Sequence, residues 1–422
     1  MVLRINKRWI FFLIISIGIL CSYSFDFLGF TIPQNALLSI ILVFEFWHIF
    51  IQKKLKQNNS PLILFYKFLL IFAVISCSIN GIKAQNITLS MLNFFLIPVF
   101  WLFFEIILNK REYIQNIFKL ITVIFWLNLA FFVFQQFSIN VTHQDNLCGI
   151  FGTVMGNDGF MNLLLIFYTV YVLLSFFSGK MSIQYTLIVI AICSYESAIG
   201  ELKIYFIELL FVLFMIMLLI KISLRKILIF ISVALIIAIG VYFLEKFYPV
   251  FRGFLSIDSL LDVLYDSKGY TGEGDISRFN GIDKLKDLLY PWQFMIGKGL
   301  ENANQSSSFF QQYGNLHYDW FAYSYIFVEL GILGVGTLII GFILEGIKQF
   351  KLAYKYKNSE RKVVSQLSCI CSFLSLILLF YNIKTFTIIG AMLTTLMISL
   401  PYIYENMDQN TDYVDIGGVC NE

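Results

Sequence analysis

Runs of mostly apolar residues, each long enough to cross a bilayer, recur along this chain with short polar breaks between them. A crossing helix needs about 20 such residues. About twelve segments qualify, near 9–25, 32–52, 61–79, 88–108, 115–137, 158–178, 183–200, 203–220, 224–245, 319–346, 362–382 and 385–403. Only Gly200, Glu201 and Leu202 separate the seventh from the eighth, which therefore read as a hairpin or a broken helix. The pattern predicts an all-α fold, a single polytopic integral membrane domain over 1–422. One large polar stretch, 246–318, interrupts it between the ninth and tenth spans. A polar tail over 406–422 is expected to be disordered.

Lys and Arg in short loops set the orientation of such a chain. They concentrate at 4–8, 53–56, 110–119, 221–226 and 348–362, which predicts that both termini are cytoplasmic. The opposite loops and span ends hold only Lys83, Lys203, Lys246 and Lys384. The stretch 246–318 is then the main extracytoplasmic loop, and the loops near 26–31, 80–87, 138–157 and 382–385 share its side. Inside it, Phe254, Ile257, Leu260, Leu261 and Leu264 recur at helical spacing, as do Phe279, Ile282, Leu285, Leu288 and Leu289. Gly269, Gly272 and Gly274 mark the turn between them, and Pro291 is expected to end the second helix. Two amphipathic helices on the outer membrane surface follow from this spacing.

Composition agrees with a membrane chain. Charged residues are 14% of the total, against about a quarter in a soluble domain, and mean hydropathy is +0.78. A net charge of +3 with no dense, solvated basic run does not suggest a nucleic-acid partner. Most of the 7 Cys fall in apolar runs and only Cys148 lies in an expected external loop, so no disulfide framework is implied. The first span lacks a small-residue cleavage site and reads as an uncleaved anchor. No metal-ligand spacing, Walker loop or dinucleotide fingerprint occurs, and no cofactor is expected.

Chemistry should therefore sit in or against the polar loop. Arg252 and Arg278 are suited to gripping phosphate. Gly297-Lys298-Gly299 offers a cation on a turn whose N–H groups form a candidate anion nest. Lys203 is a further cation at the same side. His317, at the entry to the tenth span, titrates in the range useful for proton transfer. Glu329, inside that span, needs a partner or a water-filled cavity.

Their order resembles that of a known family. The segment runs Ser277-Arg278-Phe279-Asn280-Gly281, then Pro291 to Gly297-Lys298-Gly299, then His317-Tyr318-Asp319-Trp320, then Glu329-Leu330-Gly331-Ile332-Leu333-Gly334. It resembles the O-antigen ligase and polymerase superfamily, and the span number and loop position resemble its Wzy-type polymerase branch. Members also carry a Ser-Arg pair before the main loop, a place that Lys203 holds here.

The resemblance implies an enzyme of the bacterial cytoplasmic (inner) membrane. It would join polyprenyl-diphosphate-linked oligosaccharide repeat units of an O-antigen, capsule or exopolysaccharide at the outer face, without metal or nucleotide. Arg278, with Arg252, Lys203 and Lys298, would hold the lipid diphosphate. His317 would act as base, and Glu329 would orient it or an Arg. A chain-length regulator and a flippase are the implied protein partners. A ligase that moves a finished glycan onto another acceptor uses the same donor. A lipid-linked oligosaccharide flippase is the alternative of another class, and it would place charge along a central cavity.

Overall fold

The computed structural model describes residues 7–52, 60–82, 94–108, 110–139, 144–220, 278–356 and 359–416, with isolated positions between 231 and 276. Arg252, most of the expected ninth span and the amphipathic helix expected at Phe254–Leu264 lie outside the described residues.

Among the described residues the regular structure is helical. The spans begin with α1 (Lys7–Leu20), α2 (Gln34–Gln52), α3 (Pro61–Ile79), α4 (Leu96–Ile107), α5 (Arg111–Ser138), α6 (Asp158–Phe177), α7 (Ile183–Ile199) and α8 (Lys203–Leu219). Three short helices follow, α9 (Gly281–Lys286), α10 (Pro291–Ile296) and α11 (Ser308–Tyr313). The chain ends in α12 (Ala322–Lys355), α13 (Ser359–Tyr381) and α14 (Ile388–Ile416). Each expected span other than the ninth coincides with one of the longer helices. Among the described residues, α3, α5, α6, α12, α13 and α14 are long and apolar enough to cross a membrane, and α1, α2, α4 and α7 are shorter apolar helices. This is an all-helical, multi-pass membrane architecture.

Two seams organise the bundle. α12 packs between α3 and α13, and α13 continues onto α14, which lies against α4. α6 runs through the middle, buried almost without interruption from Gly159 to Ser175, and touches α7, α8, α13 and α14. Small polar residues line the α13–α14 seam. Ser368 Oγ donates to the Ile398 carbonyl at 2.9 Å, while Ser372 and Ser375 bond back to their own helix. Such small residues let apolar helices approach closely. At the perimeter α2, α3 and α5 turn Phe46, Trp47, Phe50, Phe68, Trp126 and Phe134 outward, as surfaces meant for lipid do.

The loops sort into two ends. At one, Thr153 N–H donates to Asp26 (2.7 Å), Asn80 Nδ2 to the Gly297 carbonyl (3.2 Å), and Ile383 N–H to the Trp320 carbonyl (3.0 Å). At the other, Lys180 meets Glu360 (3.6 Å) and Gln366 donates to the Leu219 carbonyl (3.1 Å). The first end thus collects the loops that the Lys and Arg pattern placed together.

One open local expectation is decided, in favour of the hairpin, and three others change. α7 and α8 are separate helices joined by a tight turn, in which Leu202 N–H donates to the Ser197 carbonyl at 2.7 Å. The loop after α5 is not wholly outward, because residues 147–151 are buried and take Cys148 with them. Gln135 makes this possible by exchanging hydrogen bonds with Gly149 N–H (2.8 Å) and the Gly149 carbonyl (2.7 Å), and Asn128 accepts from Ile150 N–H (3.2 Å). Backbone that leaves helical geometry inside a membrane protein needs such partners. The polar tail is helical as far as Ile416. Finally, the second amphipathic helix is only Gly281–Lys286, and Pro291 starts α10 instead of ending a helix. Proline's fixed φ and missing N–H suit the first position of a helix.

Towards the second of these ends, Glu345 ties three helices together. It is fully buried and accepts from Ser60 Oγ (2.7 Å), Gln349 Nε2 (2.9 Å) and the Tyr402 hydroxyl (2.8 Å). Glu345→Ala would strand these buried donors and is expected to destabilise the protein by about 1–3 kcal/mol. A thermal melt of purified protein measures this. An unchanged melting temperature would remove Glu345 as an anchor.

Candidate functional site

The described part of the polar loop is folded tightly against the first end of the bundle. Ile276 N–H donates to the Leu316 carbonyl at 3.1 Å, so the chain leaves and re-enters this region at one point. Arg278 lies two residues beyond one side of that bond, and His317 follows the other. Gly281 N–H donates to the Tyr323 hydroxyl on α12 at 2.8 Å, which seats α9. The segment holding Arg278 is thereby held against the top of α12.

The Arg278 guanidinium lies over the Tyr381 ring, 4.6 Å from its centroid, and 5.9 Å from that of Phe321. Stacking on aromatic faces suits a planar cation and fixes its direction. Asp158 and Glu208 lie within electrostatic reach of the Tyr381 hydroxyl. Glu208 is fully buried and accepts from Asn162 Nδ2 at 2.9 Å. Lys384, in the turn between α13 and α14, is 3.4 Å from Asn157 Oδ1, and its ammonium is 5.0 Å from the Phe160 ring centroid. Burial lowers the Lys384 pKa, and the nearby Asp158 carboxylate opposes that shift. Arg278, Tyr381, Asp158, Glu208 and Lys384 therefore form one polar cluster drawn from four parts of the chain.

His317 is half-buried and left-handed (φ 55, ψ 32), and its ring stacks on Trp320 with centroids 4.1 Å apart. A β-carbon makes that backbone region costly for residues other than glycine. The neighbours hold it there. Its N–H donates to the Gly314 carbonyl (2.9 Å), and Tyr318 is buried beside Phe309 and Phe310. The carboxylate whose field meets the His317 ring is Asp319. Burial raises the Asp319 pKa, while its own N–H and His317 oppose the shift.

Glu329 does other work. It is fully buried two turns into α12, and its Oε1 accepts from Glu301 N–H at 3.0 Å. α12 is broken just beyond it at Gly331 (φ 64, ψ −167). Lys298 N–H donates to the Val328 carbonyl (2.8 Å) and Gly299 N–H to the Glu329 carbonyl (2.9 Å). Gly297 N–H is taken by the Gln293 carbonyl (2.7 Å). The expected anion nest is therefore occupied, because a helix break leaves carbonyls to be satisfied and this turn satisfies them. The Lys298 ammonium rests 5.0 Å from the Phe309 ring centroid, and partial burial lowers its pKa.

Of the residues chosen from sequence, Arg278 and His317 are brought to the same segment. Glu329 and Lys298 belong to a neighbouring dock, with Glu329 engaged by loop backbone and not by His317 or Arg278. Lys203 is half-buried at the start of α8, on the same end of the bundle. The sequence reading missed Asp319 and Asp158, and it used Lys384 only as a topological charge. The signal for Lys384 was its isolation, as one of few cations on that side. Among the described residues no group of His, Cys, Asp and Glu is arranged to hold a metal ion. No protein-family model matches the chain, and no curated protein matches it.

Proposed function

We propose that the protein is a glycan polymerase, which joins polyprenyl-diphosphate-linked oligosaccharide repeat units at the outer face of the bacterial cytoplasmic membrane. One observation carries the reading. The hydrogen bond between Ile276 and Leu316 draws Arg278 and His317 to a single bundle end rich in fixed cations and aromatics.

The chemistry asked of these residues is simple. A hydroxyl oxygen of the acceptor sugar forms a bond to the donor's anomeric carbon. The bond from that carbon to the diphosphate oxygen breaks, and its electron pair leaves on the lipid diphosphate. The hydroxyl proton passes to His317. Arg278 stabilises the charge that grows on the leaving diphosphate. Attack from the side opposite the leaving group inverts the anomeric centre. Glu329 supports the reaction indirectly, by docking the loop that carries Lys298.

The test is polysaccharide length in a deletion strain carrying the wild-type chain or His317→Ala, with equal membrane expression. Wild type is expected to restore a ladder of repeat units, and His317→Ala to leave single repeats. Full-length polymer retained on its lipid carrier in the deletion strain would point to a ligase instead. Unextended lipid-linked repeats trapped on the cytoplasmic face would point to a flippase.

A further inference from the structure

We infer that Lys384 is a second cation for the lipid diphosphate, meeting one phosphate while Arg278 meets the other. The inference rests on the polymerase reading for the identity of the ligand, and on the polar cluster for the residue.

The turn between α13 and α14 is built to aim this side chain. Its base is fixed by Ile383 N–H on the Trp320 carbonyl (3.0 Å) and by Lys384 N–H on Asn382 Oδ1 (2.9 Å). Its stem runs across the start of α6, where Gly156 and Gly159 leave room. A β-carbon on Gly159 would lie 2.9 Å from Lys384 Cγ, and one on Gly156 3.7 Å from Nζ. A larger residue at Gly159 would push the lysine aside, and one at Gly156 would only touch it.

An ammonium carries three donors. Among the described residues this one makes a single, long hydrogen bond, 3.4 Å to Asn157 Oδ1, and it lies near the Phe160 ring. It is half-buried, so it is short of water without being sealed. A desolvated cation with spare donors binds an anion more strongly than a solvated surface lysine does. Asp158 lies within electrostatic reach of both Lys384 and Tyr381, the ring that Arg278 covers. Arg278 lies over the ring of Tyr381, three residues before Lys384 at the end of α13, so the two cations meet at one short stretch of chain, and a diphosphate has two charged groups to offer them. The lysines singled out in the sequence sit less well for this. Lys298 stands on the turn that docks on α12, and the N–H groups of that turn are spent.

Full-length protein in lipid nanodiscs, titrated with farnesyl diphosphate, farnesyl monophosphate and inorganic diphosphate, tests the inference. Lys384→Gln is expected to weaken farnesyl diphosphate binding about tenfold or more, as loss of a charge-assisted hydrogen bond does. Monophosphate binding should change much less, and Lys384→Arg should retain most of the diphosphate affinity. Farnesyl diphosphate should also protect Lys384 of the wild type from amine-reactive labelling, a readout that needs no variant. Undiminished diphosphate binding by Lys384→Gln, or equal labelling with and without ligand, would overturn the assignment. Inorganic diphosphate binding as tightly as the lipid form would overturn the lipid part of it. Lost diphosphate binding in Lys384→Gln, in a chain that makes no polymer even as wild type, would uphold this site and sink only the polymerase reading. Normal diphosphate binding by Lys384→Gln, in a chain that makes polymer, would do the reverse.

Discussion

Replacing Gly297 by alanine is expected to unseat the loop around Lys298 from α12 and to destabilise the protein by several kcal/mol. Gly297 adopts φ 75 and ψ −177, a region essentially restricted to glycine, where strain is about 1–3 kcal/mol. A β-carbon there would also lie 2.2 Å from the backbone carbon and oxygen of Glu329. Forcing a methyl group into packed backbone costs about 1–3 kcal/mol more. The contact is mutual, since a β-carbon on Gly331 would lie 2.4 Å from the Met295 carbonyl and 2.6 Å from Gly297 N. Two backbones thus meet face to face, and each requires the other to lack a side chain. Thermal melts of Gly297→Ala and Gly331→Ala should fall well below wild type, and the 297–304 segment should become sensitive to protease. Gly336→Ala is the control. It lies on the same helix with nothing within 4 Å of its would-be β-carbon, so it should melt like wild type or slightly higher. If Gly297→Ala melts with wild type, the dock between loop and broken helix is not a structural element.

The second large effect concerns Arg278. Arg278→Ala is expected to lower the rate of repeat-unit joining by about a hundredfold to a thousandfold, the usual cost of deleting one group that stabilises a leaving anion. Arg278→Lys should fall between that variant and wild type. It keeps the charge but loses both the bidentate fork and the stacking on Tyr381 and Phe321. Membranes supplied with labelled lipid-linked repeat units would report this as the rate at which longer products appear. Melting temperature separates loss of chemistry from loss of packing, because the guanidinium also covers Tyr381. Wild-type rates in Arg278→Ala would remove this residue from the proposed site and the polymerase reading with it.

The loop that carries both effects shows how far local sequence reaches. The order Arg278, Pro291, Gly297, His317, Glu329 is plain along the chain, and so is the place of His317 at the entry to a span. The break in α12 is not. Gly331 lies in a run that reads as continuous helix, and one glycine in an apolar helix is ordinary. It becomes a break because the N–H groups of Lys298 and Gly299, some thirty residues earlier, satisfy the carbonyls of Val328 and Glu329. For the same reason an apparent anion nest proves to be a dock. Glu329 looked like a partner for a distant His or Arg, because a buried carboxylate must be satisfied by something. Its partners include the backbone N–H of Glu301, which no side-chain pattern advertises. Lys384 and Asp158 lie more than two hundred residues apart, and neither stands in a motif.

By itself the sequence determined the helical class, the positions of most of the longer helices, and the grouping of loops at two ends. Span length, hydropathy and the distribution of Lys and Arg are properties of short segments, and the bilayer acts on each segment separately. Only the tertiary structure decided that residues 147–151 fold inward, that α12 breaks at Gly331, and that Arg278 stands with Tyr381, Asp158 and Lys384. Those outcomes depend on which hydrogen-bond donor meets which acceptor across the fold. Within an apolar bundle that pairing is set by packing and not by local preference.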